Sequence, residues 1–133
     1  MKFNAIYISA LILIILTLSG CTRTSNDKAS TYIKITSEEA KEMIDNNGEI
    51  IILDVRTEEE YKEGHIKGAI LIPNNQILEK AEEELLDKEA TILVYCRSGR
   101  RSAQAAADLA SLGYTNVYDF GGIIDWKYEI VME

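Results

Sequence analysis

The fold is decided by residues 91–112, which read TILVYCRSGRRSAQAAADLASL. The first five, Thr91–Tyr95, are mostly apolar, as is typical of a strand buried on both faces of a parallel sheet. The Ala-rich segment Ser102–Leu112 predicts a helix that Gly113 ends. A buried strand leading into a helix indicates an α/β fold. Cys96 then lies at the carboxyl end of the strand, where such sheets bind ligands.

The same alternation of strands and helices continues on both sides of this stretch. Ile50–Leu53 is a second continuous apolar run, and Thr36 and Thr57 each open a Thr-x-x-Glu capping box that predicts a helix start. The predicted strands are Tyr32–Ile35, Glu49–Val55, Ala69–Ile72, Thr91–Tyr95 and Asn116–Asp119. The predicted helices are Thr36–Asp45, Thr57–Glu63, Gln76–Leu86, Ser102–Leu112 and Ile123–Tyr128. We therefore expect a three-layer α/β/α domain over residues 32–133, with a mostly parallel sheet of about five strands.

The composition excludes several classes of function. The chain of 133 residues carries 14 Lys plus Arg against 22 Asp plus Glu, a formal net charge of −8. This acidic balance argues against binding nucleic acid, which requires a basic face to neutralise phosphates. Two cysteines and one histidine are too few for a Cys-rich zinc site or a multi-histidine metal site, and no nucleotide or flavin motif is present. We expect no metal and no cofactor.

The first twenty residues predict a targeting signal rather than part of the fold. Met1-Lys2 supplies a positive end, and Ala5–Leu18 is an uncharged, mostly apolar run of 14 residues. This run is short for a membrane span, which needs about 20 residues, but it suits a signal peptide. It ends at Leu18-Ser19-Gly20-Cys21, which resembles the bacterial lipobox, a sequence cut before the Cys once its thiol carries a diacylglycerol. An uncleaved anchor helix and an ordinary secretory signal are the alternatives.

We therefore expect residues 1–20 to be a lipoprotein signal peptide and Cys21 to be lipidated. Residues 21–31 are polar and carry no large apolar side chain, so we expect them to form a flexible tether. Two or more acyl chains hold a protein stably on a membrane, whereas one does so only marginally. The expected location is extracytoplasmic, with the domain anchored to the bacterial membrane through Cys21.

Three features of residues 96–101, hereafter the Cys96 loop, predict a reactive thiolate. A helix N-terminus presents unpaired backbone N–H groups and a partial positive charge. Arg97, Arg100 and Arg101 add positive potential, and Gly99 permits a tight turn whose N–H groups can point at one anion. Because all three features favour the charged form, we expect the pKa of the Cys96 thiol to lie below its free value of about 8.5. The alternative is a buried cysteine that only packs in the core.

The Cys96 loop and two further motifs resemble the rhodanese family of sulfurtransferases, in its single-domain form. The motifs, in the family's usual order, are Leu53–Arg56 with Glu60-Tyr61 and Gly64–Ala69, then Cys96–Ser102, then Leu112–Tyr118 with Gly121-Gly122 and Trp126. The likeness covers residues 32–126 and implies a rhodanese-like domain with Cys96 as its catalytic nucleophile. It also implies an active-site loop made of Arg97, Ser98, Gly99, Arg100, Arg101 and Ser102.

The resemblance implies a two-step transfer of sulfane sulfur. The Cys96 thiolate attacks the outer sulfur of a donor such as thiosulfate, polysulfide or a persulfide, and becomes a persulfide itself. A thiol or cyanide acceptor then removes that sulfur. The arginines suit a small anionic donor, either by direct contact or by raising the local potential, and the place of Arg101 at the end of the loop favours a pocket role. Ser98 and Gly99 are expected to supply backbone N–H groups, whereas Ser102 either touches substrate or caps the following helix.

Three residues outside the loop are expected to support the site. Asp54 and Arg56 follow a strand end, and we expect a salt bridge there that orders the loops, with Glu60 as a further partner. His65 is a candidate general base, because histidine is the residue type that most often serves in this role near neutral pH. Sulfur transfer to a thiolate needs no base, however, and the family's histidines at this place are more often structural.

Three other functions are open alternatives. The family's phosphatase relatives use a loop one residue longer that an Arg closes, whereas here Ser102 holds that position and the shorter loop suits a single sulfur atom. The second alternative is a binding module without turnover, although such relatives usually lack the Cys. The third is a thiol-redox role, which would need an external thiol because lipidation would consume Cys21, the one other cysteine.

Overall fold

The computed structural model describes residues 31–133. The predicted signal peptide 1–20, its lipidation site Cys21 and all but the last residue of the predicted tether 21–31 lie outside the described residues. None of the helices in the described part of the chain has the length and hydropathy that spanning a bilayer requires.

Strands and helices alternate along residues 31–133. The strands are β1 (Ile33–Lys34), β2 (Ile51–Asp54), β3 (His65–Ile66), β4 (Ile70–Leu71), β5 (Thr91–Cys96), β6 (Asn116–Gly122) and β7 (Ile130–Val131). The α-helices are α1 (Ser37–Asn46), α2 (Glu58–Glu63), α3 (Ile77–Glu84) and α4 (Arg100–Ser111). Short 3₁₀ turns occupy Asn74–Gln76 and Ile123–Asp125.

Five of these strands form one parallel sheet in the order β1-β6-β5-β2-β4. The central strand β5 pairs with β2 on one side, where Ile92 lies opposite Ile51, and with β6 on the other, where Thr91 lies opposite Asn116. β3 and β7 form a separate antiparallel pair. The prediction of an α/β fold with a parallel, five-stranded central sheet is confirmed.

Helices cover both faces of the sheet because the central strands bury their side chains on both sides. Ile92 and Val94 of β5 join a core cluster with residues of α3 and α4, whereas Leu93 and Tyr95 join a second cluster with Ala40 of α1. Each fully buried aliphatic side chain contributes roughly 1.5–3 kcal/mol. Burial on both faces therefore explains why the sequence of β5 is continuously apolar rather than alternating.

Both predicted capping boxes form and begin α1 and α2. The Thr36 hydroxyl accepts a hydrogen bond from Glu39 N at 3.1 Å, and the Glu39 carboxylate accepts one from Thr36 N at 2.7 Å. Thr57 and Glu60 repeat the arrangement at 3.2 and 3.0 Å. The two boxes satisfy N–H groups that the first turn of each helix leaves unpaired.

Two predicted boundaries near Cys96 are corrected by the structure. α4 begins at Arg100 rather than at Ser102, because Gly99 takes the N-cap position with φ 104°. β6 continues past Asp119 to Gly122, so it reaches the Cys96 loop. Smaller corrections shorten four elements. The strands predicted over Tyr32–Ile35, Glu49–Val55 and Ala69–Ile72 become β1, β2 and β4, and the helix predicted over Gln76–Leu86 becomes α3 after a 3₁₀ turn.

The helix predicted over Ile123–Tyr128 is wrong. Ile123–Asp125 makes a single 3₁₀ turn, and Trp126 is already extended, with φ −78° and ψ 115°. The chain then runs into β7, which pairs with β3. This pairing joins segments far apart in the sequence, and it overrides a local pattern too short to sustain a helix alone.

Candidate active site

Cys96 is the last residue of β5, and its side chain is 1% exposed. Gly99 N donates a hydrogen bond to the Cys96 Sγ at 3.0 Å. The backbone N–H groups of Ser98 and Ser102 also face the sulfur as donors, and the Ser102 hydroxyl lies beside it. Burial raises the pKa of the Cys96 thiol, but these hydrogen bonds outweigh burial and lower the pKa below its ordinary value. The predicted direction of the pKa shift is confirmed.

The conformation of Gly99 allows this arrangement. Its φ of 104° is one that residues with a side chain rarely adopt, and it turns the chain from β5 directly into α4. The turn brings the N-terminus of α4, with its unpaired N–H groups, over the sulfur. A strand end, one glycine and a helix start therefore build the thiolate site together.

β6 supports the Cys96 loop from the side. The sheet register places Gly122 opposite Cys96. A Cβ atom on Gly122 would lie 2.1 Å from the Arg97 carbonyl oxygen and 2.7 Å from Ser98 Cα, so no larger residue fits. Ile124 N donates a hydrogen bond to that carbonyl oxygen at 3.3 Å. The sequence signal for this support is the glycine pair that precedes Ile123.

The three arginines near the thiol have different surroundings. Arg97 and Arg100 are exposed, and no described side chain pairs with them. Arg101 instead donates two hydrogen bonds to the Glu60 carboxylate, at 2.7 and 2.8 Å, and holds the pKa of Glu60 at about 2. The pair ties the start of α4 to α2, while the Arg101 charge still interacts with Cys96.

The expected salt bridge between Asp54 and Arg56 is present and buried. Arg56 Nη2 donates to Asp54 Oδ2 at 2.6 Å and to the Gly64 carbonyl oxygen at 2.7 Å. The further partner predicted here, Glu60, bonds Arg101 instead. The Asp54–Arg56 pair therefore fastens the end of β2 to the end of α2 and orders the chain that follows.

His65 has a structural environment. Its Nδ1 lies 3.0 Å from the Tyr61 carbonyl oxygen, and its ring stacks on the Tyr61 ring at 3.7 Å. In β3 it pairs with Val131. None of its described contacts involves Cys96, which favours the structural alternative over a general base.

Ser102 and Asp119 form a buried polar pair beside the sulfur. Ser102 does not cap α4; it lies inside the first turn, and its Oγ donates to Asp119 Oδ1 at 2.7 Å. Asp119 is not among the site residues that the sequence predicts. The available signal was a charged residue near the end of an otherwise apolar strand, next to the glycine pair.

Residues 36–129 match the family model described as Rhodanese-like domain. The chain belongs to the rhodanese family. The matched range contains every element of the rhodanese domain from α1 to the turn after β6, including the Cys96 loop, Asp119 and the Gly121-Gly122 pair.

Named relatives and a solved structure resemble this rhodanese domain over most of their own lengths. The chain is 42% identical over 73 residues to Thiosulfate sulfurtransferase PspE of Escherichia coli, covering 55% of this chain and 70% of the relative. It is 36% identical over 97 residues to Thiosulfate sulfurtransferase GlpE of Coxiella burnetii, covering 72% and 88%. The solved structure of a rhodanese with anions from E. coli superposes with a TM-score of 0.60 at 38% identity, covering 63% of this chain and 99% of that chain.

Replacing Gly122 with alanine should displace the Cys96 loop of the rhodanese domain. Because the new Cβ overlaps the Arg97 carbonyl, we expect the free energy of unfolding to fall by about 1–3 kcal/mol. We also expect the pKa of Cys96 to rise toward about 8.5 as the N–H groups move away. Chemical denaturation and the pH dependence of alkylation by iodoacetamide measure the two effects.

The matched control is Gly48→Ala, because a Cβ at Gly48 meets no atom within 4 Å. We expect this variant to unfold and react like the parent chain. A Gly122→Ala protein with unchanged stability and unchanged thiol reactivity would contradict the proposed support of the loop by β6.

Proposed function

We propose that this domain is a sulfurtransferase that carries a sulfane sulfur from a small anionic donor, such as thiosulfate, to a thiol or cyanide through a Cys96 persulfide. The observation that carries the proposal is a thiol of lowered pKa, surrounded by backbone donors and next to two exposed guanidinium groups. The thiosulfate sulfurtransferases among the relatives support the same reaction.

In the first step the Cys96 thiolate attacks the outer sulfur of thiosulfate. A bond forms between Sγ and that sulfur, the S–S bond of the donor breaks, and its electron pair leaves with sulfite. Arg97 and Arg100 favour this step because their unneutralised positive charges attract the dianionic donor. The rest of the acidic chain would repel the same donor, so productive encounters concentrate at the Cys96 loop.

In the second step the acceptor thiolate or cyanide attacks the outer sulfur of the persulfide. The electron pair of the broken S–S bond returns to Sγ and regenerates the thiolate. The N–H groups around the sulfur support both states, because the thiolate and the outer persulfide sulfur are anionic. A low thiol pKa also makes Cys96 a good leaving group. Neither step requires a proton from His65.

The Cys96 loop favours sulfur over phosphate. Ser102 holds the position at which the longer loop of the phosphatase relatives carries its Arg, and its buried hydroxyl cannot neutralise a phosphate dianion. The guanidinium of Arg101 is occupied by its two hydrogen bonds to Glu60. Backbone N–H groups that converge on one atom suit a thiolate or a persulfide sulfur.

Incubation with excess thiosulfate, followed by removal of the donor, should add the mass of one sulfur atom to the chain. Intact mass spectrometry of the chain purified in mild detergent measures the adduct, and cyanide should remove it. Cys96→Ser should give no adduct, whereas Cys21→Ser should keep it. A folded protein with a free Cys96 thiol that takes no sulfur from thiosulfate or polysulfide would contradict the proposal and favour a binding module.

We also propose that the chain is a lipoprotein held outside the cytoplasm by a lipid on Cys21, since Leu18–Cys21 resembles a lipobox directly after an apolar run. Bacteria that express the chain and are fed an alkyne-bearing fatty acid should label it. Cys21→Ala should abolish the labelling, and Cys96→Ala should not change it. Labelling that persists in Cys21→Ala, or a mature mass that retains residues 1–20, would contradict this proposal.

A further inference from the structure

We propose that Asp119 is a positioning residue that competes with the Cys96 thiolate for the hydroxyl hydrogen of Ser102. This inference rests on the proposed function in one respect, the role of Cys96 as the nucleophile. It assigns to a buried carboxylate of β6 the control of how strongly the Cys96 loop stabilises its thiolate.

Asp119 is a buried carboxylate without a cationic partner. It is 2% exposed, and no salt bridge joins it to a Lys, Arg or His among residues 31–133. Its Oδ1 accepts one hydrogen bond from Ser102 Oγ at 2.7 Å and one from Gly121 N at 3.0 Å. Burying an unpaired carboxylate costs free energy, so a residue with no role at this place would be expected to be uncharged.

The Ser102 hydroxyl has one hydrogen and several acceptors around it. Besides Asp119, its Oγ lies 3.1 Å from the Gly99 carbonyl oxygen and 3.2 Å from the Gly121 carbonyl oxygen, and it faces the Cys96 sulfur. A hydroxyl can donate only one hydrogen bond, and an ionised carboxylate at the shortest distance is the strongest of these acceptors. While Asp119 is ionised, the hydrogen therefore points to its carboxylate. The hydroxyl must rotate away from Asp119 before it can donate to the thiolate.

No other charged group near the Cys96 loop acts in this way. The remaining charged side chains there form two neutral pairs or are exposed. The pairs are Asp54–Arg56 and Glu60–Arg101, and the exposed side chains are Arg97, Arg100 and Lys34. Lys34 lies opposite Asp119 in the register of β1 and β6, but it makes no salt bridge with Asp119. Asp119 therefore opposes the Cys96 thiolate, since it withholds a hydrogen-bond donor from it. A thiolate that is less stabilised is also a stronger nucleophile once it has formed.

The test is Asp119→Asn in a Cys21→Ser background, in which Cys96 is the one cysteine that iodoacetamide can alkylate. Both observed hydrogen bonds of Asp119 go to the same oxygen, so an amide oxygen can accept both while the charge is lost. We expect the pKa of Cys96 to fall by about half to one unit, which raises the thiolate fraction below the pKa about three- to tenfold. The pH dependence of iodoacetamide alkylation on the full chain in detergent measures the shift.

A double-mutant cycle with Ser102→Ala separates the action through Ser102 from a bare charge effect. In the Ser102→Ala background we expect Asp119→Asn to produce less than half of its original shift. The matched control Asp125→Asn removes an exposed carboxylate that follows the same strand, and it should leave the pKa of Cys96 unchanged. An unchanged or raised pKa in Asp119→Asn, or a shift that keeps half or more of its size without Ser102, would overturn the proposal.

Ser102→Ala alone keeps the proposal testable if Asp119→Asn does not fold. Because the Ser102 hydrogen serves Asp119, removing the hydroxyl should raise the pKa of Cys96 by less than half a unit, and a larger rise would overturn the proposal. These titrations do not depend on sulfur transfer. If the pKa of Cys96 shifts in these variants as predicted but no persulfide adduct forms, only the proposed function is contradicted. If the adduct forms but the pKa does not shift as predicted, only the role of Asp119 is contradicted.

Discussion

The structure depends on the hydrogen bonds that backbone N–H groups donate to the Cys96 sulfur. A nearly buried thiolate costs several kcal/mol unless donors converge on it, so the surrounding elements must place those donors accurately. Gly99 can take the left-handed conformation that turns β5 into α4, and Gly122 lets the backbone of β6 lie against the loop. The parallel sheet, the start of α4 and the end of β6 are thus three parts of one anion site.

Charge is distributed so that the site is positive in an acidic chain. The two ion pairs Asp54–Arg56 and Glu60–Arg101 neutralise themselves and fasten the ends of β2, α2 and α4 to one another. Arg97 and Arg100 are left exposed for an anionic donor. In the proposed function, the guanidinium groups near the thiol therefore have two roles: Arg101 holds the loop in place, and Arg97 and Arg100 attract the anionic donor. Asp119 adds the opposite influence from within the core.

The sequence predicted the parts of the fold that local patterns determine. The apolar run of β5, the capping boxes at Thr36 and Thr57 and the position of Cys96 between strand and helix are all short-range signals, as is the Asp54–Arg56 pair. The contacts that it did not predict join distant segments. Glu60 meets Arg101, Ser102 meets Asp119, and β7 pairs with β3 through two residues each. Nothing in the local composition marks such partners, because tertiary packing alone brings them together.

The measurement that tests this account most directly is the pKa of Cys96 in the folded chain compared with the same chain unfolded in urea, both carrying Cys21→Ser. The account predicts that the folded value is the lower one and lies below the free thiol value of about 8.5, because the N–H donors outweigh burial. A folded value equal to or above the unfolded one would mean that burial prevails and that the loop does not hold a thiolate.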